Sequence, residues 1–145
     1  MTAVTWKASE VETPARVASW RSMSAVTRGA KSEWLALFAA DAVVEDPVGV
    51  SMFDAEGKGH RGLEAISAFW DMAIASVERF EFVIHDSFAA GAECANVGVI
   101  SAFLPGGARV DTEGVFVYCV GEDGLVRSVR AFWETERAMA TLTMP

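Results

Sequence analysis

The chain has 145 residues, 52% of them hydrophobic, with 12 Lys or Arg against 20 Asp or Glu and a formal net charge of −8. This length and composition predict a single domain over 1–145, large enough to bury roughly two-thirds of its unfolded surface. The acidic balance excludes nucleic acid and anionic membranes as partners, since both call for a Lys/Arg patch, and it leaves an uncharged small molecule as the fitting ligand class.

The N-terminal stretch "MTAVTWKASEVETPAR" lacks the basic start and apolar core of a secretory leader. No later run reaches the ~18 uncharged apolar residues that a membrane span needs, so a cytoplasmic protein is expected. Thr13 and Pro14 open a first helix as N-cap and first-turn proline, and Gly29 closes it, with Val17, Trp20, Arg21 and Ser24 predicted to share a face. "KSEWLALFAADA" predicts a second helix capped by Ser32, with Trp34, Leu35 and Phe38 on one side. "AVVEDPVG" follows as a short strand that Pro47 stops. The polar, glycine-rich 51–62 reads as a loop or hairpin. Leu63, Ile66, Trp70, Ile74 and Val77 then recur at helical spacing and predict a third amphipathic helix.

Residues 80–135 change character. Four apolar stretches, "FEFVIHDSF", "CANVGVISAFL", "VDTEGVFVYCV" and "LVRSVRAFWETE", are separated by the turn-forming groups "AAGAE", "PGGA" and "GEDG". They predict a four-stranded antiparallel meander, and helices followed by strands give an α+β domain with helices on one face of the sheet. Phe116, Tyr118, Val129 and Trp133 suggest that both sheet faces are apolar, one meeting helices and the other a second subunit, so a homodimer through the sheet is expected.

Two adjacent acids, Glu45 and Asp46, interrupt an apolar segment just before Pro47. In a regular strand Ala42, Val44 and Asp46 share one face while Val43 and Glu45 share the other, so only one of these carboxylates can enter an interior pocket. An Asp at the end of an apolar strand is partly desolvated, which raises its pKa toward the range of a useful proton acceptor. The competing expectation is a turn residue, since an Asp before Pro readily bonds nearby backbone amides and does nothing else. His60 and His85 have no partners at metal-ligand spacing, Cys94 and Cys119 read as small apolar residues in a reducing compartment, and no metal or cofactor site is expected.

With these residues in place the chain resembles the ketosteroid isomerases (steroid delta-isomerases) of the nuclear transport factor two-like, or SnoaL-like, superfamily. The resemblance spans nearly the whole sequence and rests on Phe38 to Gly49, on "GLEAISAFW" from Gly62 to Trp70, and on "VRAFW" from Val129 to Trp133. It implies a cone-shaped curved sheet, mixed or antiparallel, wrapped by three helices of the N-terminal half and enclosing an apolar pocket. It also implies Asp46 as general base, a steroid-like flat ketone as ligand and Trp133 as the pocket tryptophan near the base; Val44, Phe69 and Phe116 are further candidate substrate-binding residues, since in such a cone core and pocket wall are partly the same surface.

The family's isomerases pair their Asp base with a Tyr and a protonated Asp that donate to the developing oxyanion. Here the correspondence fails. The single tyrosine, Tyr118, lies on the third meander strand, the position on the first helix falls on Ser22, and the second donor position falls on Phe116, with Asp111 and Glu113 as the nearest acids. Trp20, Ser22 and Tyr118 are the candidate replacement donors. Three readings stay open: an isomerase, another Asp-dependent chemistry such as hydration, dehydration or polyketide cyclisation, and a steroid or lipid binder without turnover.

Overall fold

The computed structural model describes residues 3–145. A short strand β1 (Val4–Trp6) precedes helix α1 (Pro14–Thr27). Thr13 is the N-cap, its hydroxyl accepting from the Arg16 amide, and Pro14 fills the first turn as its sequence position predicts. The buried face of α1 is a different one from that shared by Val17, Trp20, Arg21 and Ser24. It consists of Ala15, Arg16, Ala18, Ser19, Ser22, Met23 and Ala25, whereas Arg21 points to solvent. Apart from Arg16 and Met23 these side chains are small, which lets the helix approach the sheet closely.

The second helix, α2 (Lys31–Leu35), is shorter than expected and its N-cap is Ala30 rather than Ser32. By Phe38 the chain is already strand β2 (Phe38–Glu45), because Phe38 pairs with Val126 and the Val126 amide donates to the Leu37 carbonyl at 2.8 Å. Tertiary pairing overrides local helix preference here. The glycine-rich segment ends in strand β3 (His60–Arg61), which pairs with the end of β2. Helix α3 (Leu63–Ala73) buries Ile66, Phe69 and Trp70; Leu63, predicted to be buried, is exposed, and Ile74 and Val77 fall in the turns that follow.

The meander appears as β4 (Arg79–Ala90), β5 (Glu93–Phe103), β6 (Arg109–Val120) and β7 (Val126–Phe132), followed by an unpredicted helix α4 (Thr135–Met139). The seven strands run in the order β1-β4-β5-β6-β7-β2-β3, with β1 parallel to β4 and β2 parallel to β7, so the sheet is mixed. It curls around α1 and α3 into an open cone. Among the described residues no helix is long and apolar enough to cross a membrane.

The curl has a local cause. Gly98 of β5 and Gly114 of β6 face each other in register, and a Cβ on Gly98 would lie 2.2 Å from the Val83 carbonyl oxygen. A Cβ on Gly114 would lie 2.4 Å from the Phe132 carbonyl oxygen and 3.0 Å from the Trp133 Cβ. Both obstacles at the closest distances are backbone, which cannot rotate aside. Gly114→Ala is therefore expected to cost about 1 to 3 kcal/mol by overpacking and to lower Tm by several degrees. A thermal melt showing an unchanged Tm would contradict this account of the crease.

Phe116, Tyr118 and Val129 are all buried on the concave face, and Trp133 reaches the same interior. They are thus not a subunit-facing surface. The convex face is formed by other residues, including Val97, Val115 and Phe132, which stand in one row across β5, β6 and β7.

Candidate active site

The concave side of the sheet, α1, α3, α4 and the loop after β2 enclose a cavity of about 280 Å³. Its wall is mostly aliphatic and aromatic, and Val44, Phe69, Phe116 and Trp133 all contribute to it. The polar side chains in that wall are Asp46, Trp133, Ser22, Trp34, Tyr118, Asn96, Thr112 and Thr135, and the first six are joined in hydrogen-bonded groups. An apolar enclosure with a few convergent polar groups is the usual form of a small-molecule site.

Asp46 follows the last residue of β2. The alternation that buries Ala42 and Val44 carries its carboxylate into the cavity, where the Trp133 Nε1–H donates to Oδ1 at 2.6 Å. Burial pushes the Asp46 pKa above the ordinary carboxylate value; the Trp133 hydrogen bond and the field of His60 act in the opposite direction without cancelling it. The turn role that an Asp-Pro pair invites is played by Asp54 instead. Its carboxylate accepts from the Gly59 amide at 2.7 Å and the Gly57 amide at 3.0 Å, and those backbone bonds hold its pKa below the ordinary value. Glu45, on the opposite face of β2, lies directly across from Arg130 and pairs with its Nε at 3.3 Å.

Ser22 projects from the buried face of α1. The Trp34 Nε1–H donates to its Oγ at 3.1 Å, and the Tyr118 hydroxyl reaches the same oxygen at 3.3 Å. Tyr118 is buried, and loss of solvent pushes its pKa up to about 12, with the Ser22 contact opposing and the negative field of Asp46 adding to the rise. The phenol therefore stays protonated throughout the neutral range. Although Tyr118 comes from β6 rather than from the first helix, its hydroxyl ends beside the first-helix position that Ser22 occupies.

Proton counting in this cluster is informative. Trp34 has only a donor to offer, so it always occupies one acceptor site on Ser22 Oγ. If Tyr118 donates to Ser22, the Ser22 proton remains; if Ser22 donates to Tyr118, the phenolic proton remains. Either way the two hydroxyls together retain one proton for a group in the cavity.

Trp20 is placed elsewhere. Its ring packs edge-on against Trp6, with centroids 5.5 Å apart, in a separate groove that Glu10 and Glu12 also line, and its buried Nε1 has no partner among the described residues. It does not line the cavity of Asp46 and is not positioned as a donor there. Asp111 and Glu113 are likewise outside the cavity: Asp111 is held by Ser101 at 2.6 Å and Arg109 at 2.9 Å, and Glu113 pairs with Arg137.

His60 reads as loop chemistry in the sequence, yet its strand pairing with Val44 brings the imidazole close enough to influence Asp46 and packs it on Phe69, 4.9 Å between centroids. Sequence reasoning also misses Trp34 as a donor and Asn96 altogether. Asn96 is a polar residue in a run of small and apolar ones, and that irregularity is its only signal.

The sequence profile of the SnoaL-like domain matches residues 20–138. Among solved structures, RV0760c from Mycobacterium tuberculosis in complex with estradiol-17beta-hemisuccinate is 33% identical over 92% of this chain and 100% of that chain, with a TM-score of 0.82. The Δ5-3-ketosteroid isomerase from Mycobacterium sp. is 34% identical over 91% of this chain and 98% of that chain, also with a TM-score of 0.82. A computationally designed 17-OHP binder is 31% identical over 91% of this chain and 98% of that chain, again with a TM-score of 0.82. No curated protein matches. The profile match over most of the length, the seven-stranded curled sheet and these likenesses together establish that the chain belongs to the SnoaL-like family of the nuclear transport factor two-like fold.

Proposed function

We propose that the protein binds a flat apolar ketone of steroid type and shifts its carbon–carbon double bond by intramolecular proton transfer. One observation carries this reading: a desolvated carboxylate and a hydroxyl pair with one undonated proton share the same apolar cavity. Asp46 removes a proton from the carbon between the carbonyl and the double bond. The electron pair delocalises toward the carbonyl oxygen, which accepts the retained proton of the Ser22–Tyr118 pair as a hydrogen bond. Asp46 then returns its proton at the far end of the conjugated system, and carboxylate and donors are restored with no cofactor consumed.

The steroid named with one relative and the ketosteroid isomerase at 34% identity support the ligand class. The experiment is an absorbance assay for conversion of a Δ5-3-ketosteroid to its conjugated isomer, with Asp46→Asn as comparison. Equal and slow rates for both proteins would reject the isomerase reading. Tight binding of an equilenin-like phenol, read by fluorescence in the absence of turnover, would identify a binder instead.

The protein assembles as a homodimer through the convex face of the sheet, where the row Val97, Val115 and Phe132 is apolar and Phe132 is 44% exposed. Sedimentation at micromolar concentration is expected to give twice the 15.6 kDa mass of the chain. A species of single-chain mass would exclude this assembly.

A further inference from the structure

Beneath the cavity wall lies a buried cation with no carboxylate. Arg16 is 4% exposed, and among the described residues no acidic group lies within ion-pair distance of it. Its guanidinium donates instead to Ser87 Oγ at 3.0 Å, the Ser87 carbonyl at 3.1 Å, the Val11 carbonyl at 2.8 Å and Ser9 Oγ at 3.4 Å. A buried charge demands such bonds.

These bonds constrain the contacts beyond them, most tightly on the Ser19 side. Ser87 Oγ accepts from Arg16 and has one proton of its own, with Asn96 Oδ1 at 2.8 Å and Cys94 Sγ at 3.4 Å as its two neighbours, while the Cys94 thiol reaches the same Asn96 oxygen at 3.2 Å. Ser19 donates to the Arg16 carbonyl at 2.7 Å, so at its other contact it can only accept, and it takes Asn96 Nδ2–H at 3.0 Å. The circuit closes on Arg16 at both ends and leaves the Asn96 amide one orientation. An amide carries two N–H groups, and among the described residues only Ser19 accepts from Nδ2.

Asn96 lines the cavity of Asp46 from within its wall, where it is only 1% exposed. Its acceptor Ser19 lies one helical turn before Ser22 on α1, and across the sheet Asn96 pairs with Phe116 while Cys94 pairs with Tyr118. Residues three apart on a helix sit about 5 to 6 Å from each other, so the amide and the hydroxyl pair flank one region of the wall.

We propose that the second N–H of Asn96 is a further ligand donor, one that meets the carbonyl oxygen of the ketone together with the Ser22–Tyr118 hydroxyl pair. This rests on the ketone-binding reading above. Phe116 cannot donate, but its cross-strand neighbour can, and the charged end of the Arg16–Ser87 chain polarises the amide toward giving up hydrogen-bond density on its nitrogen side. Asn96 thus selects for an oxygen at that end of the ligand.

The test compares affinity for 19-nortestosterone, a flat conjugated 3-ketone, with affinity for its 3-deoxo analogue. Wild type is expected to prefer the ketone, and Asn96→Leu to reduce that preference about tenfold while the deoxo analogue binds with its affinity maintained or improved. An unchanged ketone-to-deoxo ratio in Asn96→Leu, or no preference in wild type, would overturn the proposal. Should Asn96→Leu fail to fold, the carbonyl stretch of 19-nortestosterone bound to the Ser22→Ala/Trp34→Phe/Tyr118→Phe variant decides, since Trp34→Phe removes the indole N–H that Ser22→Ala would set free. A frequency still below the value in cyclohexane supports the amide donor, and one equal to it refutes it. Isomerase assays separate the two readings: a selective Asn96 effect without turnover would sink the isomerase alone, and turnover with an unchanged ratio would sink the Asn96 donor alone.

Discussion

Asp46→Asn is expected to slow isomerisation by about 100- to 10,000-fold, the range that a positioned general base contributes. Ketone binding should persist, because the substitution preserves size and the oxygen that accepts from Trp133. The same variant has a second signature in stability. A folded pKa raised above the ordinary 3.8 means that the native state binds the Asp46 proton more tightly than the unfolded chain does. Its stabilising contribution is then fully present below pH 3.8 and is lost as pH rises through the folded value, by about 1.4 kcal/mol for every tenfold by which folding tightens the hold on that proton. Asp46→Asn escapes that loss. It should unfold at a higher temperature than wild type at pH 7, with the gap closing as pH falls toward 3.8. The rate of the wild type should move the other way, falling with acid as the base is protonated, at a midpoint above the ordinary carboxylate value. Unaltered activity in the variant would remove Asp46 from the chemistry. A gap in Tm that does not vary with pH would contradict the desolvation argument.

Ser22→Ala and Tyr118→Phe are expected to behave as a non-additive pair. Each single substitution leaves one hydroxyl with a proton to give, so each should cost about tenfold or less in kcat. The double variant leaves none from the pair and should lose about 100- to 1,000-fold, the usual effect of removing one oxyanion donor. Ser22→Ala also strips the Trp34 Nε1–H of its acceptor and should cost about 1 to 3 kcal/mol of stability, whereas Tyr118→Phe leaves that bond in place. Because the phenol titrates only at about 12, none of these effects should vary with pH between neutrality and pH ~10. A double variant no worse than the poorer single would show that the two hydroxyls are not one unit.

Asp46 can be read from sequence because strand alternation has a period of two: once Val44 points inward, Asp46 must follow. The same logic puts Phe116 and Tyr118 on one face of a later strand. What alternation cannot supply is a contact such as that of Tyr118 with Ser22, 96 residues apart, which depends on how closely the first helix lies on the sheet. The phase of that helix is misleading for a related reason. Its buried side carries Ala, Ser and a charged Arg16, while Trp20 occupies the other side against Trp6, so the large apolar residue draws attention to the wrong groove. The last helix is hidden because "ETERAM" continues a strand without a glycine or proline between them.

The two neighbouring acids at the end of β2 bear on folding fidelity as well as on chemistry. A slip of one residue between β2 and its parallel partner would reverse both faces, taking Asp46 out to solvent and delivering Glu45 to the cavity, a counterfeit site with a carboxylate one methylene longer. In the native register Glu45 faces Arg130 on the outside and Val44 faces Val129 on the inside. The outward ion pair and the inward valines therefore reject the same error from opposite sides, and the acid left outside the cavity helps ensure that Asp46 is the one presented to it.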